Sequence, residues 1–293
     1  MRVLVFGGTG TVGGPVVREL IRSGHEVMAL TRSEASAARM TQLGALPIAG
    51  DLATPGRWLD ALPPLQGVIQ AAAGFSADDE AIERQLLLRL LPFLSTASPG
   101  ARFIYTGGCW LFGPAGHSVT TEETPFAPLP AFAWAVQHSR FVLDAPGVQS
   151  IVIHPAMVYE PGGGVFGRFH ADAVARDAVR VVGGEQVRWP LVHSQDLAVL
   201  YRLALERSNP REEYIGAAID ALPVGRIARA FARRFGTPSG EPEVITEDAI
   251  AAELGEWARG YGLDQKQSGA KARRTLGWEP QHLDPEHEIA SLP

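Results

Sequence analysis

The sequence predicts an α/β fold: a doubly wound parallel sheet with helices on both faces and a smaller C-terminal lobe. Three observations predict it. Short apolar runs alternate with stretches of helical period from Val3 to His154. The connections between them are short, as in a parallel sheet wrapped on both sides. The first run, Val3-Leu4-Val5-Phe6, leads directly into Gly7-Gly8-Thr9-Gly10-Thr11-Val12-Gly13.

That strand, glycine turn and helix start make a pyrophosphate cradle of the Rossmann type. Gly7 allows the tight turn, Gly10 lets the backbone approach the phosphates, and Gly13 lets the helix pack on the sheet. Thr9, Thr11 and Val12 complete the loop. The phosphates sit at the positive end of the helix. A strand before the glycines and a helix after them make a dinucleotide site a better reading than a bland turn.

The helix spans about Val12–Ser23 and ends at Gly24, and Glu26–Thr31 follows as a second strand. Ser33 can cap a helix through about Leu43, and Leu46–Ala49 is a third, short strand ending in Gly50-Asp51-Leu52. Gly67–Ala71 is a fourth strand, Asp78–Leu94 a long helix and Arg102–Tyr105 a fifth strand. Phe132–Leu143 fits a helix and Ser150–His154 a strand. Right-handed crossovers place the ligand crevice at the carboxyl ends of these strands. After Pro155 the regularity loosens. Pro161-Gly162-Gly163-Gly164 reads as a flexible turn, Ser194 as the cap of a helix over about Gln195–Glu206, and Glu213–Ala217 as a strand. Pro223–Phe235 is helical and ends at Gly236, with Arg226, Arg229, Arg233 and Arg234 on a solvated face. Residues 1–158 then form the dinucleotide-binding core, completed by about 188–219. About 159–187 and 220–293 form a small substrate lobe over the crevice.

Composition excludes several classes. With 293 residues, 46% of them hydrophobic, a core of ordinary size is available. A formal charge of -6 without a long basic run argues against nucleic acid or an anionic membrane as the main partner. Cys109 is the one cysteine, so no intrachain disulfide forms. The N-terminal apolar stretch is too short for a signal peptide, and no segment approaches the ~20 apolar residues of a membrane span. A soluble cytoplasmic chain is the expectation. The eight histidines have no ligand-like spacing and imply no metal.

The second strand ends Ala29-Leu30-Thr31-Arg32-Ser33, with no carboxylate at its tip to hold ribose hydroxyls. Arg32 offers a planar, permanently charged fork that suits a phosphate, and Ser33 with the helix start behind it adds donors. This favours NADP over NAD, against the reading of Arg32 as an exposed loop charge. Asp51 can accept from the adenine amino group or cap the turn over Thr54–Leu62.

Longer motifs carry a resemblance. They are the glycine turn, Gly50-Asp51-Leu52, Ala71-Ala72-Ala73-Gly74, and Ile104 to Gly113 ending in Phe112-Gly113. His154-Pro155-Ala156-Met157-Val158-Tyr159, Pro190 to Ala198, and Leu276-Gly277-Trp278-Glu279-Pro280 complete the set. In this order they resemble the short-chain dehydrogenase/reductase superfamily, in its extended or atypical NAD(P)-dependent epimerase/dehydratase-like branch. The resemblance implies a nicotinamide cofactor. It puts Ala71, Ala72 and Ala73 in a turn against the adenosine and adds Asp51, Leu52 and Pro155 to the cofactor-binding residues.

The family's chemistry uses a Tyr-x-x-x-Lys pair on the helix after the fifth strand, with a Ser or Thr nearby. Aligned back from His154-Pro155, the tyrosine position falls on Trp134 and the lysine position on His138. No tyrosine lies between Tyr105 and Tyr159 and no lysine before Lys266, so sliding the register does not recover the pair. The usual serine position falls on Gly108, with Thr106 two residues earlier. An indole N–H only donates and does not titrate usefully, so Trp134 reads as a pocket wall. His138 can bond a ribose hydroxyl and serve as acid or base, or it can be a partly buried polar residue serving local backbone. Thr106 is either a substrate-bonding hydroxyl or a structural strand-end residue. Tyr159 can offer a phenol at the crevice mouth. Cys109 lacks a legible base, Tyr105 reads as core, and His193 as structural. Trp110, Phe112, Phe126, Phe132, Trp134, Phe166, Phe169 and Trp189 fall in segments expected to border the crevice, or else form lobe core. Arg168 and Arg188 are candidate anchors for an anionic substrate group.

The leading expectation is an NADP-dependent oxidoreductase acting on a small, fairly apolar carbonyl or imine compound. A cofactor-retaining epimerase, isomerase or lyase is the alternative, and a non-catalytic NADP-binding sensor is a third reading. The partner implied is a small-molecule substrate, with a homodimer left open.

Overall fold

The computed structural model describes residues 1–160 and 163–292. Strand and helix alternate through β1 (Arg2–Phe6), α1 (Gly13–Arg22), β2 (Glu26–Thr31), α2 (Glu34–Leu43), β3 (Leu46–Ala49), α3 (Gly56–Asp60) and β4 (Gly67–Gln70). They continue through α4 (Asp79–Ala97), β5 (Arg102–Thr106), α5 (Ala133–Leu143) and β6 (Gln149–Pro155). Then come β7 (Met157–Glu160), β8 (Gly163–Gly164), α6 (Phe166–Ala175), β9 (Arg180–Val182), β10 (Arg188–His193), α7 (Ser194–Arg207) and β11 (Glu212–Gly216). The chain ends with β12 (Ile219–Pro223), α8 (Val224–Phe235), β13 (Glu243–Ile245), α9 (Glu247–Leu254), α10 (Ala270–Leu276) and α11 (Pro285–Ala290). A 3-10 turn, Glu256–Gly262, lies between α9 and α10.

Seven parallel strands form the main sheet in the order β11-β6-β5-β4-β1-β2-β3. Alternation along each strand fills two cores. Val3 and Val5 of β1 face a core built with α1, α2 and α7, while Leu4 and Phe6 face one built with α3, α4 and α5. Ile104 of β5 joins the first core, and Phe103 and Tyr105 join the second. Ser33 caps α2 as expected, its hydroxyl accepting from the Ser36 N–H at 3.2 Å. Among the described residues no helix is long and apolar enough to cross a membrane.

The second half departs from its expected outline. A small sheet, β12-β10-β7-β8, covers the carboxyl side, and β9 pairs with β13. Residues 188–193 therefore pair in the small sheet, while α7 and β11 complete the main layer. Pro190 lies inside β10, where the register against β12 shifts; proline has no N–H to donate there. His193, not Ser194, caps α7: its ring nitrogen accepts from the Gln195 N–H at 3.2 Å, and Ser194 instead donates to Glu160. Of the expected glycine turn, Pro161-Gly162 lies outside the described residues, and Gly163-Gly164 forms β8. On the solvated face of α8, Arg233 is exposed and the other three arginines make surface contacts. Arg226 pairs with Glu286, Arg229 with Glu185 and Glu241, and Arg234 donates to the Leu292 carbonyl.

Candidate active site

Strand order reverses between β1 and β4, neighbours that β2 and β3 separate in sequence. Crevices open at such switch points, at the carboxyl ends of the strands. Here the two turns touch. Gly7 has φ +75°, and a Cβ on it would lie 2.5 Å from the Ala71 carbonyl oxygen. A Cβ on Gly13 would lie 2.2 Å from the Gly7 oxygen. The Gly10 N–H donates to that same oxygen at 2.9 Å, and Gly10 itself is exposed. Val12 begins α1 without a side-chain cap, and the first turn has no acidic residue. Among the described residues no side chain caps the first N–H groups of α1, and they keep their partial positive charge. This bare backbone, with Thr9 and Thr11 half-buried beside it, fits a diphosphate.

Arg32 stands at the tip of β2, exposed, with no ion pair among the described residues. Asp51 uses its side chain locally, Oδ1 accepting from the Ala53 N–H at 2.9 Å; it does not cap α3, whose N-cap is Pro55 with no side-chain cap bond. Leu52 packs against the core under α4. Asp51, Trp58, Gln85 and Arg89 line an open cleft of about 600 Å³ on this side of the sheet. At β4, the Gln70 side-chain oxygen accepts from the Ala72 N–H at 3.3 Å, which ties down the Ala71-Ala72-Ala73 turn.

At the other end of the crevice, α5 carries Trp134 and His138 with ring centroids 5.1 Å apart. Trp134 is half-buried, and its indole N–H donates to the Ala131 carbonyl, so it offers a face rather than a proton. His138 is buried, with Nδ1 2.9 Å from Glu83 Oε1 on α4. Glu83 also accepts from the Tyr105 hydroxyl. Burial first, and then the Glu83 charge, push the Tyr105 phenol up, so it stays protonated as that donor. A Cβ on Gly108 would meet nothing within 4 Å, so the place where the family carries serine is open space. Pro155 is buried at the end of β6.

Thr106 turns away from His138. Its hydroxyl donates to the Gln70 carbonyl at 2.5 Å and meets the Tyr201 hydroxyl at 2.6 Å, on the α7 side of the sheet. The geometry thus favours the strand-end reading of Thr106. Tyr159 does not reach the crevice mouth. It is 0% exposed, stacks on Phe166, and donates to the His282 carbonyl at 3.0 Å. Burial pushes the Cys109 thiol up to about 12, and its sulfur lies 3.7 Å from that of Met157. Such a thiol is no nucleophile. Phe112, Phe166, Phe169 and Trp189 are core residues instead of lining. Arg188 is committed to Asp264 through two contacts of 2.6 and 2.9 Å, and Arg168 lies under the Tyr261 ring.

Two aromatics missing from the sequence-based lining shape the mouth. Trp257, on the 3-10 turn, stacks at 4.5 Å on Phe75 from the loop after β4. Trp110 lies 5.6 Å from Phe132 and 6.1 Å from Trp257. Phe75 is 52% exposed and has φ +77°. Asp79 holds it there by accepting from the N–H groups of Gly74, Phe75 and Ser76 at 3.0, 2.5 and 3.2 Å. Such a backbone costs of order 1–3 kcal/mol and persists only where its surroundings enforce it. Glu83 was also missed. Its signal was its register: it precedes Leu86, Leu87 and Leu90 by three, four and seven residues, on the buried stripe of α4.

Comparison with known proteins agrees with this architecture. The chain is 28% identical over 298 residues to the uncharacterized protein C2A9.02 of Schizosaccharomyces pombe, covering 99% of each. It is 26% identical over 310 residues to a 3-diazoavenalumate denitrifying reductase of Streptomyces sp, covering 96% of this chain and 97% of the relative. Human epimerase family protein SDR39U1, solved with NADPH, superposes with a TM-score of 0.79 at 20% identity, over 100% of this chain and 99% of that one. The model of the NAD dependent epimerase/dehydratase family matches residues 3–216, from β1 through the crevice turns to the end of β11. By that match, and by the glycine cradle at its switch point, this chain belongs to the NAD dependent epimerase/dehydratase family.

Proposed function

We propose that this protein is an NADP-dependent oxidoreductase for a small, fairly apolar carbonyl or imine compound. The observation that carries the reading is the backbone cradle of Gly7, Gly10 and Gly13 under the uncapped start of α1, which fits a diphosphate and no bulkier side chain. A bound nicotinamide supplies the hydride chemistry, and the protein supplies placement. Arg32, exposed at the tip of β2 and without an ion pair among the described residues, supports this reading as the group that answers a 2′-phosphate. His138 takes the place of the family's lysine and exchanges the proton that accompanies reduction. Trp134 closes the pocket with its ring face. Phe75, Trp110, Phe132 and Trp257 favour a flat apolar substrate over a sugar nucleotide. The Streptomyces relative's description as a reductase supports the redox reading.

The test is a panel of aromatic and aliphatic carbonyl compounds with NADPH and with NADH, followed by cofactor absorbance. Consumption of NADPH with at least one of them, and roughly tenfold weaker NADPH binding in Arg32→Ala with NADH unchanged, is expected from losing one charge-assisted phosphate contact. Tight cofactor binding with no net oxidation would favour an epimerase or a sensor instead.

A further inference from the structure

We infer that Glu83 is the positioning residue for His138, holding the proton on Nδ1 and thereby presenting Nε2 to the crevice. This rests on the proposed oxidoreductase for its consequence, but not for its geometry. Four elements meet at one carboxylate. Glu83 comes from α4, His138 from α5, Tyr105 from the end of β5 and Gln70 from the end of β4. Oε1 of Glu83 lies 2.9 Å from His138 Nδ1 and accepts from the Tyr105 hydroxyl; Oε2 lies 3.4 Å from the Gln70 side-chain nitrogen.

An ionised carboxylate only accepts, so each of its partners must donate. Gln70 satisfies this because its oxygen is already engaged with the Ala72 N–H. Tyr105 satisfies it because the buried phenol keeps its proton. The imidazole must then direct Nδ1–H at Glu83, and that bond leaves the lone pair of the neutral ring on Nε2. His138 Nε2 bonds to no described residue, and the side chain keeps 9% of its surface exposed.

The proton balance closes on this ring. When hydride and its electron pair form the new C–H bond at the carbonyl carbon, the C=O π pair becomes an O–H bond. The carbonyl oxygen takes the Nε2 proton and that N–H bond breaks. NADPH is oxidised and the carbonyl is reduced. The ring is left neutral with Nδ1–H still on Glu83, and water returns the Nε2 proton. The ring that transfers carries a proton on each nitrogen, with Nδ1–H directed at Glu83. The family's lysine offers a fixed charge; here a carboxylate and an imidazole share that task.

The experiment is nitrogen NMR of the full chain labelled with 15N-histidine, with His138 assigned by the signals lost in His138→Gln. At a pH where the ring is neutral, Nδ1 is expected to carry the proton and Nε2 the lone pair. A neutral ring protonated on Nε2, or an even mixture, overturns the inference. Glu83→Gln is expected to lower kcat at least tenfold while KM for NADPH stays within threefold. Wild-type kcat, or a loss confined to KM, also overturns it. If no carbonyl compound on the panel is reduced, the oxidoreductase reading fails, and the wild-type tautomer still decides the role of Glu83.

Discussion

The two ends of the crevice are built from different material. At the glycine hairpin the backbone makes the site: Gly7, Gly10 and Gly13 contribute N–H groups, a carbonyl and the absence of Cβ atoms. At α5 the side chains make it: Glu83, Tyr105 and His138 converge from three elements on one hydrogen-bonded cluster. A backbone site is rigid and intolerant of added atoms. A side-chain site can exchange its chemistry while the fold stands, and here Trp134 and His138 stand at the positions of the family's tyrosine and lysine, with Glu83 bonded to the histidine.

The contrast breaks most sharply at Gly13. Gly13→Ala places a methyl 2.2 Å from the Gly7 oxygen, and backbone cannot yield as a flexible side chain does. A loss of about 1–3 kcal/mol in denaturant unfolding, together with loss of measurable NADPH binding, is expected. A variant of wild-type stability would show that the hairpin is not closed against α1. Next comes His138→Ala. Turnover should fall at least roughly tenfold, the low end for a positioned acid–base group, with the thermal midpoint moved by only a few degrees. Unchanged turnover would remove His138 from the chemistry.

A smaller effect separates strain from contact at the mouth. Phe75→Gly and Phe75→Ala should both raise KM for an apolar substrate about three- to tenfold, since each loses the stack on Trp257. Only the glycine variant suits φ +77°, so it should unfold about 1 kcal/mol later than the alanine variant. Equal stabilities would mean that Asp79 enforces no strain. The smallest effect belongs to Gly108→Ser, which restores the family's residue in open space and should shift stability by less than about 0.5 kcal/mol.

The same contrast explains what the sequence could tell. The hairpin, β2 and the Ser33 cap were legible because spacing and local chemistry encode them: three glycines, a short apolar run, a hydroxyl before a helix. His138 and Trp134 were legible by register against His154-Pro155. Glu83 was not, because a glutamate inside a charged helical stretch reads as a solvated face, and its partner lies 55 residues away. Trp257 was hidden in a 3-10 turn without periodicity, and its partner Phe75 in a strained loop. Tyr159 pointed wrongly because period two does not say which of two sheets a short strand joins, and β7 belongs to the small one. The α7 cap moved by one residue because an imidazole nitrogen can accept an N–H as a hydroxyl does.

The most direct measurement is calorimetric titration of the folded wild-type chain with NADPH and, separately, NADH. Saturable binding of one nicotinamide coenzyme per chain, tighter for NADPH, is the result this account predicts. No heat with either coenzyme, from protein whose circular dichroism and cooperative melting show it folded, would contradict it.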